Sequence, residues 1–92
     1  ILLYNLSSIL EKSKLFNEAK TVFTYCLEYI FQQSVSMEKS FIGGIYYHLG
    51  TIGFYENNVK EAIENISKCL EYIPEHKAAN NILIKLAKKR ID

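Results

Sequence analysis

Few side chains in this sequence could carry covalent or metal chemistry. Cys26 and Cys69 are its only thiols, and His48 and His76 its only imidazoles. Two thiols could close a disulfide or share a metal ion. Neither histidine has a second ligand at the helical spacing that would put both on one face. Glu75 stands beside His76, but no nucleophile accompanies the pair. Gly43, Gly44, Gly50 and Gly53 are not a phosphate loop, which needs a strand, a glycine-rich turn and a Lys followed by Ser or Thr. Asn5-Leu6-Ser7 and Asn65-Ile66-Ser67 match the glycosylation sequon, yet their central residues occupy core positions of helical stripes, so both matches read as chance. The basic run Lys85, Lys88, Lys89 and Arg90 suits the negative end of a helix dipole and reads as a solvated terminal face. Nucleic-acid binding would need a broader basic surface. These residues lead us to expect no catalytic group, no metal and no cofactor.

The pentapeptide CLEYI shows which elements hold these side chains. It occurs at 26–30 and again at 69–73. A shift of 43 residues superposes Tyr4 on Tyr47, Leu6 on Leu49, Ile9 on Ile52 and Glu18-Ala19 on Glu61-Ala62. Ten of the 28 positions from 4 to 31 are then identical without a gap, so the sequence holds a duplicated unit. Equivalent positions in stacked repeats lie ~10 Å apart, beyond the ~7 Å Cα reach of a disulfide. Cys26 and Cys69 therefore read as small buried residues.

Apolar spacing inside each copy is helical. Ala19, Val22, Phe23, Cys26, Leu27 and Ile30 form one stripe, and Val59, Ala62, Ile63, Ile66, Cys69, Leu70 and Ile73 another. Leu2, Leu3, Leu6, Ile9 and Leu10 precede the first, and Ile45, Leu49 and Ile52 the second. Polar breaks separate the halves, with Ser13 and Asn17 in one copy and Asn57 and Asn58 in the other. Asn tolerates the left-handed conformation that ends a helix and can cap the next. Each copy thus reads as helix, tight turn, helix. Ser36, with Glu38 two residues on, marks a helix start, and Pro74 ends the second copy. A fifth helix of about four turns follows, carrying Ala78, Ala79, Ile82, Leu83, Ile84 and Leu86. Gly43 and Gly50 share a helix face, which points to a close helix approach, although Gly43-Gly44 could instead mark a bend.

At 92 residues the chain is one small domain. Its net charge of +1 argues against a dominant nucleic-acid or membrane surface. No apolar run approaches the ~18 residues of a membrane span. It opens mid-pattern with ILLYNL and without Met, as a piece of a longer protein would. Two cysteines without secretory features fit a reducing, cytoplasmic setting.

The stretch YYHLGTIGFYENNVKEAIENISKCLEYIP resembles a tetratricopeptide repeat. Tyr46, Leu49-Gly50, Ala62, Ile66, Cys69 and Pro74 fall at that family's signature spacing. Gly53 stands where the family places Tyr. The first copy is more divergent, with Leu3, Leu6, Ser7, Leu10, Ala19, Phe23 and Cys26 at matching places and Phe31 in place of the proline. The resemblance implies an all-α fold, a right-handed solenoid of antiparallel helix hairpins. It would hold repeats at 1–33 and 43–76, an extended connection at 34–42 and a terminal capping helix at 77–92. Gly50 would let the two helices of a hairpin approach, and Ala62 would face the tightest crossing. In CLEYI, Cys and Leu would point inward, Ile30 and Ile73 would close the end, Glu28 and Glu71 would face solvent, and Tyr29 and Tyr72 would pack at the edge between hairpins.

By the same resemblance, first helices line a concave groove. That role falls to Tyr4, Ser8 and Glu11, then Tyr47, Thr51 and Phe54, then Asn81, Lys85 and Lys88. A peptide or protein segment could lay its backbone on the amide and hydroxyl groups, rest side chains on the tyrosines and bring an acidic group to Lys85. This is similar in kind to the carboxylate clamp of chaperone-binding members. Alternatively, Tyr4 and Tyr47 simply pack between hairpins. The 43-residue period resembles the longer repeats of Gram-positive peptide-sensing regulators and response-regulator phosphatases. It implies the ligand-sensing region of a bacterial transcription regulator. The expectation is a non-catalytic peptide-binding module. The alternative is a self-association scaffold that forms a homodimer through Leu2, Leu3 and Leu6, or through Ile82 and Leu86.

Overall fold

The computed structural model describes residues 9–12, 14–34 and 36–91. Every regular element among them is an α-helix, as the three-and-four spacing of apolar residues requires. Helix α1 spans Phe16–Gln32, α2 Lys39–Tyr55, α3 Val59–Tyr72 and α4 Lys77–Ile91. Residues 9–12 are helical as well. The chain divides into two compact units, Ile1–Met37 and Glu38–Asp92. No helix among the described residues is long and apolar enough to cross a membrane.

In the first unit, the helical residues 9–12 end on Lys14, which takes a left-handed φ of 63°. The Lys14 N–H donates to the Glu11 carbonyl and the Leu15 N–H to the Leu10 carbonyl, both at 2.9 Å. This pair of bonds satisfies carbonyls that the helix itself leaves open. The turn was expected to rest on Ser13 and Asn17. Asn17 instead lies inside the first turn of α1, where its carbonyl accepts from Thr21 Oγ1 at 3.0 Å. Ser13, like Leu2, Leu3 and Leu6, lies outside the described residues. Leu15 holds the N-cap position and makes no side-chain cap bond. Along α1 the expected stripe is buried at Ala19, Phe23, Cys26, Leu27 and Ile30. Glu28 is exposed as expected, and Tyr29 is 52% exposed.

The second unit begins with α2, whose N-cap is Glu38 in extended backbone and not Ser36. Residues 39–42, read from sequence as part of the connection, are therefore helical. Helix α2 runs without a break through Gly43-Gly44. It closes on Asn57, 43 residues after Lys14, with a φ of 61°. The Asn57 N–H donates to the Phe54 carbonyl at 3.1 Å and the Asn58 N–H to the Gly53 carbonyl at 2.8 Å. Asn58 then caps α3: its side-chain oxygen accepts from the Glu61 N–H at 3.3 Å, and its side-chain amide donates to Glu61 Oε2 at 2.9 Å. Both asparagines play the parts read from sequence.

Glycines set the distance between α2 and α3. A Cβ placed on Gly53 would lie 3.0 to 3.2 Å from the Ala62 N, Cα and Cβ, and one on Gly50 within 2.5 Å of the Ile66 side chain. One on Gly43 would lie 2.7 Å from Ile73. Ala62 and Ile66 are fully buried. Helix α2 also buries Ile42, Ile45, Leu49 and Ile52. The Tyr72 ring stacks on Tyr46 of the same hairpin, with centroids 5.9 Å apart. After Ile73 and Pro74 the chain turns into α4, which adds Ala79 and Leu86 to the core around Ala62, Ile66 and Cys69. Leu86 is thus fully buried and offers no docking face to a second copy, while Ile82 packs against that core and is partly buried.

Gly53 faces backbone, which cannot rotate aside. Gly53→Leu should lower the unfolding free energy by about 3 kcal/mol, although leaving Gly in a helix interior gains about 1 kcal/mol of propensity. Urea denaturation would read this as a lower midpoint at constant slope.

Candidate binding site

Tyr47, Thr51 and Phe54 stand four and three residues apart on α2, so they share one face. Asn81 and Lys85 do the same on α4, one turn apart. The packing of α4 onto the hairpin brings these five side chains around one hollow of about 290 Å³, at the low end of the ~300–1,000 Å³ of ligand pockets. Tyr55, Ala78 and Ile82 complete its lining. Of the other groove positions expected from sequence, Lys88 is exposed on α4 and outside this lining. Glu11 belongs to the first unit, and Tyr4 and Ser8 lie outside the described residues.

The lining has a clear polarity. Lys85 is its only charged side chain and is exposed to solvent. Asn81, also exposed, adds amide donors and an acceptor. Thr51 is buried, and its hydroxyl donates to the His48 carbonyl at 2.8 Å. Its proton is therefore held within α2, which removes the donor the sequence had suggested for a peptide backbone. The remaining walls are aromatic and aliphatic. A cationic group over an apolar floor suits a segment that carries a carboxylate next to a large apolar side chain.

Two residues that the sequence reading left out of the groove fix its aromatic walls. His76 lies just before α4, and its Nδ1 accepts from the Ala79 N–H at 3.1 Å. It is the cap of that helix, in a position where Ser, Thr, Asp or Asn would be the sequence signal. Its ring stacks on Tyr47 with centroids 4.6 Å apart and planes at 29°. Tyr47 also meets His48 edge-on at 5.7 Å. Toward the end of α4, the Lys89 ammonium lies 4.6 Å from the centre of the Phe54 ring and donates to Asn57 Oδ1 at 3.1 Å. Lys89, read as part of a solvated basic face, thus ties α4 to both α2 and the hairpin turn. Cation–π pairs at exposed sites contribute about 0.5–1 kcal/mol.

The tetratricopeptide repeat family model matches residues 2–38 and 43–76. No curated protein and no solved structure matches the chain.

Elsewhere in the helices, the thiols are placed for packing. Cys26 and Cys69 are both free and buried. Burial pushes the Cys26 thiol up and raises that of Cys69 from 9.0 to about 11. Among the described residues, no three of His, Cys, Asp and Glu come together as a metal site. A raised thiol favours the folded state only while it keeps its proton. As pH climbs from 9.0 to about 11, the unfolded chain releases the Cys69 proton and the folded chain holds it. Unfolding free energy should therefore be insensitive to this group below that window and fall across it. Denaturant titrations against pH should show that fall, and Cys69→Ala should reduce it, leaving the smaller parts due to Cys26 and Tyr46, which burial also pushes up. Iodoacetamide at about pH 8 should leave both cysteines unmodified in the folded chain and alkylate both in urea.

Proposed function

Because the chain belongs to the tetratricopeptide repeat family, whose modules generally mediate protein–protein interaction, we propose that it is a non-catalytic module that binds a segment of another protein in the hollow between α2 and α4. The observation that carries this reading is the meeting of Tyr47 and Phe54 with Asn81 and Lys85 around one hollow whose single charge is positive. The favoured occupant is a peptide with an acidic residue beside an aromatic or aliphatic one. Its carboxylate pairs with Lys85, its backbone reaches Asn81, and its apolar side chain covers Tyr47 and Phe54.

The same reading extends to context. The 43-residue period supports a role as the ligand-sensing region of a bacterial transcription regulator, working in the cytoplasm. Near-neutral charge supports no direct nucleic-acid or membrane contact through this stretch.

The test is a titration of the ¹⁵N-labelled chain with a pool of acetylated peptides alternating acidic and large apolar residues. Shifts should centre on Tyr47, Asn81 and Lys85. Lys85→Glu should weaken binding about tenfold and leave the thermal midpoint unchanged, and added salt should weaken the wild type. Shifts confined to other surfaces, or binding indifferent to Lys85→Glu, would reject the reading. A peptide-independent elution volume at twice the monomer mass would favour self-association in its place.

A further inference from the structure

His76 has almost no freedom. Its N–H donates to the Ile73 carbonyl at 3.1 Å, and its own carbonyl accepts from the Asn80 N–H and from Asn80 Nδ2, each at 3.0 Å. Its Nδ1 accepts from the amide of Ala79, a residue with no solvent exposure. Turning the ring away would leave that amide without this acceptor inside the core, which opposes rotation. The cap bond therefore holds the plane of the imidazole in place. Tyr47 lies against that fixed plane.

Both walls of the hollow consequently depend on one side chain. The cap holds the first turn of α4, which carries Ala78 and leads into Asn81 and Lys85. The stack holds Tyr47, which forms the facing wall on α2. We propose that His76 is the positioning residue of the hollow: its nitrogen registers α4, its ring face orients Tyr47, and together they set the gap into which a bound segment fits. The proposal rests on the hollow being the binding site, yet the geometry can be tested without a ligand.

Two variants of the intact chain separate the cap from the ring. His76→Asn supplies a good capping oxygen but no ring. It should keep the thermal midpoint close to wild type, release the Tyr47 side chain into averaged rotamers as read by its χ1 couplings, and weaken the acidic–apolar peptide pool roughly two- to tenfold. His76→Phe supplies a ring without an acceptor. It should keep the Tyr47 χ1 couplings near wild type and lower the midpoint. A cap with no positioning role would leave both the Tyr47 χ1 couplings and the pool affinity of His76→Asn at wild-type values, and that result would overturn the proposal. If the pool fails to bind even the wild type, the functional reading falls, and the Tyr47 χ1 couplings alone decide the role of His76.

Discussion

The second unit depends on how closely two helix backbones can pass. At Gly53 the α2 backbone comes so near the Ala62 backbone that a single added carbon would meet three atoms within 3.2 Å. That approach puts Ile66 under Gly50 and Ile73 under Gly43. Helix α4 packs on the surface this creates, and the hollow exists only because α4 sits there. Glycine in a helix loses about 1 kcal/mol to alanine; the apolar burial that close packing allows offsets that loss several times over.

The helices were legible because the periodicity that identifies a buried stripe is the geometry that buries it. The two asparagines were legible for a similar reason: Asn57 takes the left-handed position and Asn58 the cap, each by its own chemistry. The first copy misled the same logic. It places Lys14, a residue with no turn preference of its own, in the left-handed position and Leu15 at the cap. Repeat register, and not residue type, was the signal that could have located that turn, since Lys14 lies 43 residues before Asn57. Ser36 failed as a helix start because α2 begins closer to its apolar residues, on Glu38.

Part of the hollow followed from register alone. Once α2 is a helix, Tyr47, Thr51 and Phe54 must share a face, and Asn81 and Lys85 must do so on α4. What sequence could not supply was the contribution of contacts that cross between elements. His76 is 29 residues from Tyr47, and Lys89 is 32 from Asn57. No local pattern links either pair. Thr51 shows the converse limit: its position was right, but a bond to its own helix changes what its hydroxyl can offer.

Lys89 bears on how α4 opens. A helix packed on its neighbours along one side opens most easily by fraying from its ends. Here an ammonium late in α4 grips the loop between the two preceding helices, while an imidazole secures the opposite end. Fraying is thus opposed at both extremities of α4, by a surface contact at one and a helix cap at the other.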